Sequence, residues 1–241
     1  MKRYKVKDRG GRREVEKTVL ELQQPESKHQ KVSPIFLIFD RDEEPTNLKS
    51  SPAVKILQWP RRCAENYMLD SDVITALLKD SSVTKAPMEN EGDVRRLMRE
   101  LAYKQLDHIA AREVYKSYQY LDASLQSDDL KGTTIEALAS SFYDRMAAAR
   151  SSIPEVAKDQ WTPTFIKAVE DRKQMLLQTW EAKWPELCDG KKLISDLHKA
   201  ASMKISESTF KARIVKDMRD ASSETWRLVR DLLNDLLKQG A

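Results

Sequence analysis

Pro34-Ile35-Phe36-Leu37-Ile38-Phe39-Asp40-Arg41-Asp42-Glu43-Glu44 is the stretch on which the fold of this chain turns. Ile35 to Phe39 is an unbroken apolar run of strand length, rich in β-branched and aromatic residues. Such a run suits a strand covered on both faces, as in a parallel sheet. Acids follow at once, at 40, 42, 43 and 44. Open α/β sheets bind their ligands at the carboxyl ends of the strands. Several carboxylate oxygens close together suit a hard cation such as Mg2+ or Mn2+. An acidic turn after a strand, with Asp40 and Asp42 simply solvated, reads the same residues without any ligand.

Upstream, Tyr4 and Val6 alternate weakly with basic residues until Gly10-Gly11 breaks the segment. From Arg12 the spacing becomes helical, with Val15, Val19, Leu20 and Leu22 close to one face. Residues 24–33 read as a polar loop. Strand, helix and buried strand in succession form the α/β pattern. Downstream, Pro45, Asn47 and Pro52 mark a loop over 43–53, and Val54-Lys55-Ile56-Leu57 reads as a short further strand ended by Trp59-Pro60. Beyond about residue 66 the chain reads as helical. Apolar stripes run through 93–122 (Val94, Leu97, Leu101, Leu106, Ile109, Val114, Leu121), 163–184 (Ile166, Val169, Leu176, Trp180, Trp184), 206–219 (Phe210, Ile214, Met218) and 222–238 (Trp226, Val229, Leu233, Leu236). These are read as core faces, with a partner-binding stripe as the alternative. Ser222 or Ser223 is placed to cap the last helix, with Gly240 just past its end.

The chain has 241 residues, 40% hydrophobic and 33% charged, enough for one large domain or two small ones. Mean hydropathy is −0.63. No apolar run approaches the roughly 20 residues of a membrane span, and no signal peptide is visible behind Met1, so the expectation is a cytoplasmic protein. Cys63 and Cys188 lie far apart without metal-ligand spacing and read as free thiols in a reducing compartment. The net charge of +4 is too small to imply nucleic acid by itself. The cluster Lys2, Arg3, Lys5, Lys7, Arg9, Arg12 and Arg13 reads either as a phosphate-meeting patch or as a solvated terminus. His29, His108 and His198 form no ligand cluster, and no nucleophile–base arrangement follows from spacing.

Three families place an Asp-x-Asp after a strand. Haloacid-dehalogenase-type phosphatases favour Thr or Val where Glu44 stands, and nothing else supports a nucleotide-sugar glycosyltransferase. The third is Toprim. Arg61-Arg62-Cys63-Ala64-Glu65-Asn66-Tyr67-Met68-Leu69-Asp70 resembles the Glu-Asn-Tyr-Leu signature that follows the Asp-x-Asp strand in nucleases of the overcoming-lysogenization-defect (OLD) type, with Met68 in place of Leu. Val6-Lys7-Asp8-Arg9-Gly10-Gly11-Arg12-Arg13-Glu14-Val15 resembles the strand, glycine pair and helix before that strand. Far downstream, Asp189-Gly190-Lys191-Lys192-Leu193-Ile194 resembles the Gly-Lys element of OLD C-terminal regions.

The resemblance implies an incomplete Toprim/Rossmann-like α/β unit over residues 1–80, followed by a mostly α-helical region over 81–241. It implies a metal-dependent DNA endonuclease or nicking module, in keeping with anti-phage defence. In that reading Asp40, Asp42 and Glu65 ligate Mg2+ or Mn2+, Glu65 also serves catalysis, and Lys191 stabilises charge developing at the scissile phosphate. The family's glutamate-bearing first strand and its ATPase domain, with a phosphate-binding Gly-x-x-x-x-Gly-Lys loop, are not found in this sequence. The expected partners are therefore DNA together with an ATPase subunit, a missing N-terminal portion or a second copy of the chain, and no membrane. The alternative is a catalytically incomplete Toprim remnant that binds DNA or protein. Each residue also has a plainer reading: Glu65 as a helix cap or a partner of Arg61 or Arg62, Asn66 as a cap, Tyr67 as core, and Lys191 as a solvated first-turn lysine.

Overall fold

The structure is a computed structural model and describes residues 17–23, 34–41, 46–52, 54–117, 134–148 and 158–239. Residues 17–23 are helical (α1). The strands β1 (Ile35–Phe39) and β2 (Val54–Gln58) pair in parallel, in a register that runs from Ile35 opposite Val54 to Phe39 opposite Gln58. Both are short runs of β-branched, aromatic and aliphatic side chains, which suit a pleated surface. The bond from the Trp59 N–H to the Phe39 carbonyl, at 3.0 Å, carries the ladder one step further.

The faces of this sheet differ. Leu37 and Val54 are buried against Val19 of α1, with Leu22, Ile35, Leu48 and Ile56 around them. On the other face Lys55 alternates with apolar residues and Ile38 is 41% exposed. The expectation of a strand covered on both faces therefore holds for one face of β1 among the described residues. The loop beside β2 supplies its own edge partners: the hydroxyls of Ser50 and Ser51 accept from the main-chain N–H groups of Ile56 and Val54. That satisfies backbone which an edge strand would otherwise offer to another chain.

After β2 the chain forms a short 3-10 turn (Ala64–Met68) and then helices α2 (Ser71–Lys79), α3 (Glu91–Tyr103), α4 (Leu106–Ser117), α5 (Ile135–Ala148), α6 (Lys158–Leu187), α7 (Gly190–Ala200), α8 (Glu207–Asp220) and α9 (Glu224–Lys238). Their stripes meet in one large core that begins at Leu69 and Val73 and runs to Met218. Phe142, Phe165 and Trp180 are among its largest fully buried side chains. The apolar pattern over 93–122 reads as one helix but is two, divided at Lys104-Gln105, and its end beyond residue 117 lies outside the described residues. Ser223 caps α9, its hydroxyl accepting from the Trp226 N–H at 3.2 Å; Gly240 lies outside the described residues. The α9 stripe is only partly core, for Leu236 is its single buried residue, while Trp226, Val229 and Leu233 are half-buried. No helix among the described residues is long and apolar enough to cross a membrane.

Candidate functional site

The parallel pairing sends both strands toward the same end, where Asp40 leaves β1 and the chain after β2 turns back through Glu65. One oxygen of Asp40 accepts from the Ala64 main-chain N–H at 3.0 Å, which ties the strand end to the first residue of the 3-10 turn. The other accepts from the Lys191 ammonium at 2.7 Å, across 151 positions of sequence. Lys191 is half-exposed (55%), and an ion pair in that setting is worth only about 0–1 kcal/mol. The pair therefore matters for where it puts the charges more than for stability.

Lys191 is brought there by a joint between the 3-10 turn and the start of α7. Asn66 is fully buried at the centre of that joint. Its side-chain amide donates to the carbonyls of Pro185 (2.8 Å) and Cys188 (2.9 Å), at and just past the end of α6, where helix carbonyls have no partner within the helix. Its side-chain oxygen accepts from the Cys63 N–H and the Cys63 thiol, both at 2.9 Å. Gly190 packs directly on this turn. A Cβ there would lie 2.6 Å from the Asn66 main-chain nitrogen and 2.9 Å from the Glu65 carbonyl carbon, so only glycine admits the contact. Asp189 caps α7 through the Lys192 N–H at 3.1 Å. Gln105, in the break between α3 and α4, holds the Asp189 main chain from both sides: its side-chain oxygen accepts from the Asp189 N–H (2.8 Å) and its amide donates to the Asp189 carbonyl (3.4 Å).

Glu65, next in sequence to Ala64, makes no ion pair with this ammonium, but its charge acts on it. Burial alone would lower the Lys191 proton affinity, but the hydrogen bond and charge of Asp40, then Glu65 and Cys63, outweigh it and hold Lys191 well above the ordinary lysine value. Glu65 pairs neither with Arg61 nor with Arg62 as the plainer reading expected, but with Lys211 of α8 at 3.8 Å. Arg61 instead stacks over the Tyr67 ring (4.7 Å) and donates to the Asn66 carbonyl at 2.8 Å. Tyr67 is core, 3% exposed. Cys63 and Cys188 are buried free thiols on either side of Asn66. Burial, then the charges of Glu65, Asp189 and Asp40, push the Cys63 thiol up to about 11, against a smaller opposing effect of the Lys191 main-chain N–H. Burial likewise raises Cys188.

Of the residues singled out in the sequence, Asp40, Glu65 and Lys191 converge. Asp42 with Glu43 and Glu44, the glycine pair 10–11, the basic cluster of residues 2–13 and His29 lie outside the described residues. His198 is satisfied by the Ile205 carbonyl at 2.7 Å. Lys211 and Gln105 were not anticipated as parts of this site, and Asp189, quoted with the Gly-Lys element, was given no role as its cap. For Lys211 the only local signal is its spacing of four from Glu207, and for Gln105 none is visible in the sequence. The chain matches no family model, no curated protein and no solved structure. Among the described residues no three metal-ligating side chains cluster.

Proposed function

We propose that the chain is a metal-dependent, DNA-cleaving module of the OLD/Toprim type. The observation that carries this reading is the meeting of Lys191 with Asp40, from distant segments of sequence, with the charge of Glu65 acting on the same ammonium. Asp40 and Glu65 would hold Mg2+ or Mn2+ with Asp42, two residues past Asp40. Bound there, the ion would supply an activated water and charge neutralisation at the phosphate. Asp40, tied to the Ala64 N–H, is fixed in direction. Lys191, at the first turn of α7, offers an ammonium and the positive end of a helix to a phosphodiester oxygen. DNA is the proposed substrate, and a front portion, an ATPase subunit or a second copy the proposed partner.

A second reading, a binding module descended from such a nuclease, is favoured by a different observation: both described carboxylates already have lysine partners, Asp40 with Lys191 and Glu65 with Lys211. Plasmid nicking by the purified chain with Mg2+ or Mn2+, beside Asp42→Ala and Lys191→Ala, separates the two. Metal-dependent nicking lost in both variants supports the nuclease. Absence of nicking while the wild-type chain still binds metal supports the binding module. Equal metal binding by wild type and Asp42→Ala removes Asp42 from the site.

A further inference from the structure

The parallel register brings the chain leaving β1 at Asp40 and Arg41 beside Trp59, whose N–H donates to the Phe39 carbonyl. Trp59 is half-buried, its ring 5.2 Å from that of Tyr67 and tilted by 52°. Arg61, also half-buried, lies on the Tyr67 ring. Its guanidinium donates to the Asn66 carbonyl, and its main-chain N–H donates to the Tyr67 hydroxyl at 3.3 Å. Asn66 is also the residue against which Gly190 packs, so Arg61 is anchored one contact away from the start of α7 and Lys191. The charge of Arg41 acts on the same phenol. Among the described residues neither guanidinium has a carboxylate partner, whereas Lys191 and Lys211 are both paired. The exposed Glu186 of α6 is the acid whose charge acts on Tyr67 against them.

We propose that Trp59, Arg61 and Arg41 form a subsite for an unpaired nucleotide of a DNA strand, beside the Lys191 end of the site. The inference rests on the DNA-binding reading and needs no metal. Guanidinium charge without a counter-ion draws an anion such as a phosphodiester. The Trp59 ring and the planar guanidinium of Arg61 offer surfaces on which a base stacks, and such stacking tolerates any sequence. Tyr67, itself core, is the support beneath them rather than the stacking face. Arg61 is already held on Tyr67 and Asn66, so little side-chain freedom is lost when a strand binds. A base inside a duplex has both faces covered by its neighbours, so the subsite selects single strands.

The test is fluorescence anisotropy of the full chain with a labelled oligothymidylate, its duplex with oligoadenylate, and oligouridylate of equal length, all in EDTA and across a range of salt. Folding of each variant is verified by circular dichroism. Expected is tighter binding of the single DNA strand than of the duplex. Trp59→Ala should weaken single-strand binding about fivefold or more, the scale of one stacked base, while Trp59→Phe keeps most of it. Arg41→Gln and Arg61→Gln should each weaken it and flatten the slope of log affinity against log salt by about 0.7, the share of one phosphate contact. Arg96→Gln, exposed on α3, should change neither. Arg41 makes no hydrogen bond among the described residues, so Arg41→Gln keeps the test open where Arg61→Gln disturbs the fold. Affinity and salt slope unchanged in Arg41→Gln and Trp59→Ala, or duplex bound as tightly as the single strand, overturns the inference and leaves the DNA reading standing. Binding confined to oligouridylate overturns the assignment to DNA, and absence of binding to all three overturns both. The expected pattern without nicking in Mg2+ or Mn2+ upholds the inference and overturns the cleavage reading alone.

Discussion

Asn66→Ala is the substitution that most directly probes how the site is built. Asn66 is fully buried, and its side chain is bonded to three main-chain groups: the carbonyls of Pro185 and Cys188 and the N–H of Cys63. Alanine leaves all three without that partner in a place that admits little water. A buried polar group deprived of its partner costs about 1–3 kcal/mol. The two carbonyls each retain a second lone pair, which argues for the lower half of that range, so the total is about 3–5 kcal/mol. For a chain of this size one kcal/mol corresponds to roughly 2 °C in Tm, giving a fall of about 6–10 °C. The assay is thermal unfolding followed by circular dichroism. Arg96→Ala serves as a control, since Arg96 is exposed and pairs only with Asp93 on the same helix; it is expected to stay within about 0.5 kcal/mol of wild type. A Tm for Asn66→Ala within 2 °C of wild type would refute the view that this one amide joins the end of α6 to the 3-10 turn.

Three further outcomes are expected. Gly190→Ala forces a methyl group against the Asn66 and Glu65 backbone and should destabilise by about 1–3 kcal/mol in thermal or denaturant unfolding. Ser202 and Ser222 sit at φ 48° and 49° just past α7 and α8, each closing its helix with the paired main-chain bonds of a Schellman motif; Ser222→Gly and Ser202→Gly should each stabilise by about 0.5–1 kcal/mol in denaturant unfolding. Cys63 titrates at about 11 in the fold against an ordinary 9.0, so its contribution to stability is complete below pH 9 and is lost as pH rises toward 11; unfolding free energy measured across that window should fall, and Cys63→Ala should flatten the fall.

The local elements were legible because they rest on nearest-neighbour patterning. Ile35 to Phe39 reads as a strand from its length, its β-branched and aromatic content and the breakers around it, while the spacing of Phe210, Ile214 and Met218 or of Trp226 to Leu236 reads as helical. The break at Lys104-Gln105 was not legible. Neither Gly nor Pro marks it, and its reason is a long-range clasp of Gln105 on the Asp189 main chain. Among the described residues only one face of β1 is covered, for a related reason: an apolar run states what a strand tolerates, whereas what packs on it depends on elements elsewhere.

The sequence by itself singled out the candidate side chains, namely the acids from Asp40 onward, Glu65 beside Asn66, and Lys191 after Gly190. The tertiary structure alone decided that Lys191 meets Asp40, that Glu65 is balanced by Lys211 rather than by its neighbours Arg61 and Arg62, and that Asn66 and Gly190 are two halves of one contact. The physical reason is that propensity and periodicity act over a few residues. A bond such as that between Asp40 and Lys191 is set by how α6 ends, how α7 begins and how closely a glycine lets two backbones approach.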